Sequence, residues 1–144
     1  MTYVFDIDEF LAQPLTAHIA TNGPTVRPIW YLWEHDAFWI LGGPRARLLD
    51  RVQADPAVAL TVDVCDLGTG LVRQVIANGR AELVPFHVAR RWRKRSRYLG
   101  VDESRWDQRF QDYLHVDPAE TGTVWIVPRP KTLNAADLRF EVSG

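Results

Sequence analysis

Short runs rich in β-branched and aromatic residues alternate along the chain with clusters of turn formers, and this pattern predicts more strands than helices. Asp6 to Leu11 reads as a short helix with Asp6 or Asp8 as cap and Phe5, Phe10 and Leu11 on its apolar side, stopped by Pro14. Thr16 to Thr21 and Thr25 to Trp33 flank Asn22-Gly23, a hairpin turn signal. Ala37 to Leu41 pairs back after Glu34-His35-Asp36, which makes a three-strand meander. Gly42-Gly43-Pro44 then breaks the sheet, and a helix from Pro44 to about Ala54 carries Leu48, Leu49 and Val52 on one face.

Beyond Asp55-Pro56, the nearly continuous apolar run Val58 to Val64 predicts a central strand. After the Gly68–Gly70 loop, Val72 to Val84 is another strand, with Gly79 marking a bulge or kink. Pro85 opens the longest helix, which Gly100 closes, and Glu103 to Leu114 is a second helical stretch capped by Asp102. Thr123 to Pro128 is the sixth and last strand, and Pro128 and Pro130 predict that it lies at an edge or ends there. The architecture implied is a mostly antiparallel barrel with a few peripheral helices.

Composition narrows the class. A length of 144 residues suits one domain spanning 1–144, and 47% apolar with 24% charged residues is an ordinary globular balance. A formal net charge of −1 gives no global field toward nucleic acid or membrane. Cys65 is the sole cysteine, so there is no intramolecular disulfide, and the four histidines lack ligand spacing, so no metal site is expected. Asp6, Asp8 and Glu9 in an N-terminus without a long apolar run argue against a signal peptide, and the expected compartment is the cytoplasm. Aromatics crowd between Trp30 and Trp39, a surplus suited to a subunit interface or a planar ligand.

Three segments carry candidate chemistry. Pro24-Thr25-Val26-Arg27-Pro28-Ile29-Trp30 is a strand with one cation in an apolar stretch. Gly42-Gly43-Pro44-Arg45-Ala46-Arg47 places glycines and two guanidiniums at a helix N-terminus, where free N–H groups and the helix dipole favour an anion and arginine grips phosphate in bidentate fashion. Arg73 to Glu82 sets Gln74 among apolar neighbours, a donor and acceptor suited to the polar edge of a flat heterocycle.

With these segments in order, the chain resembles the pyridoxamine 5′-phosphate oxidase family and the wider flavin-binding split barrels. Arg27 stands three residues after Pro24, as the family's phosphate-binding arginine follows its proline. Arg47 stands nine before Pro56, where the family has an Arg-Lys pair ahead of Asp-Pro or Asn-Pro. Arg73-Gln74-Val75 followed by Gly79-Arg80-Ala81-Glu82 is similar to the strand whose glutamine meets the isoalloxazine ring, and Trp125 to Pro130 is similar to the last strand. The resemblance spans Ala17 to Pro130.

It implies a six-stranded antiparallel split β-barrel of Greek-key type, dimerised so that FMN, or alternatively the deazaflavin coenzyme, lies at the interface. Phosphate would sit on Arg27, Arg47 and Arg45. The ring would lie along Pro28, Ile29, Trp30, Leu41 and Gly42, with Gln74 nearby. The flavin carries the hydride chemistry, so no catalytic side chain is named. The function implied is an oxidoreductase acting on a small organic molecule, the alternative being a flavin-binding protein without turnover, a carrier, sensor or vestigial relative.

The chain also departs from the family. Leu48 replaces the lysine of the Arg-Lys pair, and Leu32 stands where a second lysine is expected. Each lost charged hydrogen bond is worth about 1.5–3 kcal/mol, unless Arg45 compensates. Leu133 to Gly144 offers Arg139 but not the oxidase's substrate-binding Arg-His pair, which points away from a vitamin B6 substrate. The helix after Pro85 carries Arg90, Arg91, Arg93, Lys94, Arg95 and Arg97 nearly all round, followed by Asp102, Glu103, Asp107 and Asp112. That pattern reads as a solvated face paired to the next helix rather than a nucleic-acid or membrane surface.

Overall fold

The computed structural model describes residues 4–43, 46–114 and 122–143. Seven antiparallel strands form one curled sheet: β1 (Ala17–Thr21), β2 (Thr25–Ile29), β3 (Leu32–Glu34), β4 (Ala37–Gly42), β5 (Ala57–Asp66), β6 (Leu71–Val84) and β7 (Val124–Asp137). Four helices accompany them: α1 (Ile7–Leu11), α2 (Arg47–Ala54), α3 (Val88–Leu99) and α4 (Gln108–Leu114), with a 3-10 turn at Glu103–Arg105. The spatial order is β2-β1-β5-β6-β7-β4-β3.

That order explains the curl. β2 and β3 are consecutive in the chain yet occupy opposite edges of the sheet, joined only by Trp30 and Tyr31. A link of two residues reaches only about 10 Å, so the edges must come nearly together. The expected single strand from Thr25 to Trp33 therefore divides in two, and the six strands read from the sequence become seven. At the break, backbone groups that would otherwise lack partners are met by one side chain. The Tyr98 hydroxyl accepts from Tyr31 N (3.1 Å) and lies 2.7 Å from Leu15 O and 3.2 Å from Tyr31 O, where it can donate. Tyr98 thus fills the split between the two halves of the barrel.

The main core lies inside the curl. Ala17, Ile19, Ile40, Leu60, Val62, Val75 and Ile126 meet Leu48, Leu49 and Val52 of α2 and Ile7, Phe10 and Leu11 of α1. Asp6 caps α1 by accepting from Glu9 N, and the Trp33 indole donates to Asp8 Oδ1 at 2.7 Å, which ties that helix to β3. A second cluster joins Leu32, Ala37, Trp39, Trp125 and Val127. Trp33 and Trp39 are therefore core residues, which absorbs most of the aromatic surplus.

The last strand corrects an expectation. β7 runs on to Asp137 and sits between β6 and β4 rather than at an edge. Its prolines are accommodated because the β6–β7 register shifts at Asn78/Gly79, where Gly79 faces Pro130 and Asn78 faces Thr132. The bulge expected at Gly79 is thus present, and it lets a proline sit within the sheet.

The basic helix departs further from expectation. Arg91, Lys94 and Arg95 are buried, not solvated. Of the acids after the helix, Asp102 turns to Arg105, Asp107 to Arg109 and Asp112 to Gln108. A carboxylate that does engage α3 stands at the end of β3. Glu34 accepts from Arg90 Nε (2.9 Å) and from both Arg93 Nε (2.7 Å) and Nη2 (2.9 Å).

The Arg93 hydrogen bonds, then those of Arg90, hold the Glu34 carboxyl down from 4.5 to about 2 against the opposing effect of burial. A depressed folded-state pKa stabilises above the unfolded value and loses that contribution as the carboxylate takes up its proton. Glu34→Gln is expected to lose about 1–2 kcal/mol at neutral pH after solvent screening. The gap to wild type should close as pH falls from 4.5 toward 2. Urea denaturation near neutral pH and near pH 3 checks both points.

Candidate functional site

A cavity of about 260 Å³ opens between the β1–β2 hairpin and α2, with Thr21, Thr25, Arg27, Arg47 and Arg51 on its polar walls and Ile19 and Leu48 on its apolar ones. The sheet register sets Arg27 opposite Ile19, on the side of the hairpin that faces α2. Arg47 and Arg51 stand one helical turn apart on α2, so both reach the same side. Thr21 and Thr25 close the hairpin end through a hydroxyl–hydroxyl bond of 2.5 Å.

Three guanidiniums converge here, and none has an ion-pair or hydrogen-bond partner among the described residues. Like charges crowded without a carboxylate repel, and an anion relieves that repulsion. Helix α2 adds to the attraction. Its N-cap, Ala46, provides no side-chain cap, which leaves first-turn N–H groups for a ligand. The arrangement can hold a phosphate in a bidentate or tridentate grip.

Of the residues singled out from the sequence, Arg27 and Arg47 are brought together. Arg45 lies outside the described residues. Arg51 is not among those singled out, although its four-residue spacing from Arg47 is a signal the sequence offers. It stands one turn beyond Leu48, and so supplies a cation close to where the family's lysine is absent. Leu48 itself is buried in the core.

The residues expected along a flavin ring are distributed over several places in the fold. Pro28 pairs with His18, His18 with Thr61 and Thr61 with Ile76, which places Pro28 and Ile76 on the outer face of the sheet. Gln74, two residues before Ile76 and paired with Asp63, shares that face and does not line the arginine cavity. Ile29 is half-buried against the core. Trp30 stacks on Tyr98 (centroids 4.3 Å apart, planes 1° from parallel) and near Phe110 (5.8 Å), so its rings are engaged within the chain. Gly42 is buried, and a Cβ there would stand 2.6 Å from Ile126 Cδ1, so its small size serves packing. Leu41 borders a second cavity, under α3 and α4.

Among the described residues no helix is long and apolar enough to cross a membrane.

Comparison with known proteins bears on the fold and the family. The chain is similar in structure to Rv2991, a conserved hypothetical protein of Mycobacterium tuberculosis (TM-score 0.72, 18% identity, covering 100% of this chain and 94% of that one). It is also similar to an F420 reductase (TM-score 0.64, 23% identity, 91% and 98% covered). A third likeness is to an FAD-binding protein from Mycobacterium smegmatis (TM-score 0.61, 16% identity, 97% and 100% covered). No curated protein matches the sequence. At such identities these structures establish the fold, the split barrel that the sequence implied. The family model for pyridoxamine 5′-phosphate oxidase matches residues 6–125, from α1 to the first two residues of β7 and including both arginine-bearing elements, and the chain belongs to that family.

Proposed function

We propose that the protein binds a flavin through its phosphate and works as an oxidoreductase on a small organic molecule. The observation that carries this reading is the meeting of Arg27, Arg47 and Arg51 around one cavity at the uncapped start of α2. A cavity of about 260 Å³ suits a phosphate and the chain attached to it rather than a tricyclic ring. The ring would then extend past the hairpin onto the outer sheet face, where Pro28 and Gln74 lie and where Val26 and Ile76 expose apolar side chains. When bound, the flavin supplies the hydride acceptor. This chain supplies the charged anchor and an apolar bed.

The cofactor is FMN, with the deazaflavin coenzyme as the alternative. An F420 reductase shares the fold, in keeping with the deazaflavin alternative, and an FAD-binding protein shares it too, in keeping with a flavin. The same exposed outer face is the surface through which two copies would pair, each covering the other's ring, in a cytoplasmic homodimer. Light scattering at micromolar concentration should give twice the chain mass, and a monomer would sink the two-chain site.

Titration of cofactor-free protein with FMN and with the deazaflavin, followed by flavin fluorescence, tests the proposal. One of the two should bind, with affinity reduced about ten- to a hundredfold by Arg27→Ala or Arg47→Ala, the worth of one charged hydrogen bond. Arg51→Ala should weaken binding by a similar factor, which distinguishes a true third ligand from a surface charge. Absence of binding by both cofactors would remove the flavin reading altogether.

A further inference from the structure

A second group of cations lies apart from the arginine cradle. Leu41 at the end of β4, Lys94 and Arg95 of α3, and Arg109 and Phe110 of α4 line a cavity of about 350 Å³. Lys94 is only 7% exposed. No hydrogen bond or ion pair joins its ammonium to any described residue, and the charges acting on it are those of Arg95 and Arg97, both of its own sign. A lysine buried this far is ordinarily paired. The guanidiniums of Arg95 and Arg109 lie 5.3 and 5.2 Å from the Phe110 ring centroid, so the aromatic wall and the cationic groups are held together.

We propose that this cavity is a binding site for a small organic anion, a carboxylate or phosphate ester with a flat apolar body, whose charged group meets Lys94 and Arg109 and whose body lies against Phe110 and Leu41. Each partner follows from an observed feature. Lys94 lines the cavity from a position where water solvates it poorly, so an anion gains from a charge that no described residue compensates. Arg109 stands at the exposed mouth, paired with Asp107 at 3.3 Å, and has guanidinium donors left over for an incoming anion. Phe110 and Leu41 give an apolar wall of the kind that small-molecule sites combine with a few polar groups. Among the described residues the site shares no lining residue with the Arg27–Arg47–Arg51 cavity.

The test uses phenyl phosphate and benzoate as probes, with benzyl alcohol as the neutral counterpart, in calorimetric titrations of the full chain. At least one anion should bind saturably below ~10 mM, and Lys94→Met should weaken it about ten- to a hundredfold. Arg109→Ala, at an exposed position that leaves folding intact, should weaken it several-fold. Arg27→Ala should leave it unchanged while impairing flavin binding, so the two sites fail separately. Three results would overturn the proposal: no saturable binding of either anion, undiminished binding in Lys94→Met, or benzyl alcohol binding as tightly as the anions. Anion binding lost in Arg27→Ala but kept in Lys94→Met would place the anion in the other cavity and overturn it equally.

Discussion

Gly79→Ala is expected to destabilise the protein by about 2–4 kcal/mol, a large loss for the addition of one methyl group. The reason lies in the bulge where β6 meets β7. A Cβ at Gly79 would overlap the carbonyl oxygen of Arg129, with the Arg129 carbon 2.9 Å and Pro130 Cα 3.0 Å away. All three are backbone atoms, so no side-chain rotation relieves the contact. Nor can the backbone simply move, since Arg80 faces Arg129 and Ala81 faces Pro128 immediately beside it, deep in the longest strand pair of the sheet. Room for the methyl requires opening the ladder or shifting the proline that the bulge accommodates. The neighbouring Asn78→Ala, on an exposed side chain, should stay within about 0.5 kcal/mol of wild type. Urea denaturation of both variants decides the matter, and a Gly79→Ala loss below about 1 kcal/mol would show that the bulge relaxes freely.

Much of this fold was readable in advance because its signals are local. The Asn22-Gly23 turn, the cap at Asp6, the apolar face of α2 and the glycine at the bulge each follow from a few adjacent residues. What was hidden depended on long-range partners. Nothing near Trp30 and Tyr31 announces that β2 and β3 lie at opposite sheet edges, since the residue that satisfies that break is Tyr98, far along the chain. Proline chemistry argued for an edge at β7, and only the register shift against Gly79 reverses the argument.

The site divides along the same line. Arg27 and Arg47 were legible because turn and helix-start chemistry surround them, whereas Arg51 carried only a helical spacing that exposed surface arginines share. The basic helix misled for a physical reason. Six cations in eight residues look solvated by composition, yet Glu34 anchors one side and the sheet and α4 cover another. Burial of Lys94 depends on packing across elements, which no periodicity within α3 encodes.

Lys94→Met is expected to stabilise the protein, by roughly 3–5 kcal/mol near pH 6. Burial, reinforced by Arg95 and Arg97 on the same helix, pushes the Lys94 ammonium down from 10.5 to about 7, and Arg109 adds a further cation across the cavity. The folded protein therefore holds this proton less tightly than the unfolded chain does. Between pH 7 and 10.5 the unfolded state binds more protons, so wild-type stability contributed by this group rises with pH through that window. Below about 7 both states carry the proton and the full penalty of the buried charge is present. Methionine, similar in length and uncharged, removes the penalty, so the advantage of Lys94→Met should be greatest at pH 6 and shrink to about 1–2 kcal/mol near pH 9.5. Chemical denaturation at those two pH values measures it, and a variant no more stable than wild type at pH 6 would refute the buried, uncompensated cation. A saturating organic anion should narrow the same gap in wild type, because it neutralises the charge that methionine deletes. A residue that destabilises the empty protein and is relieved by a ligand is what a binding site retained against stability looks like.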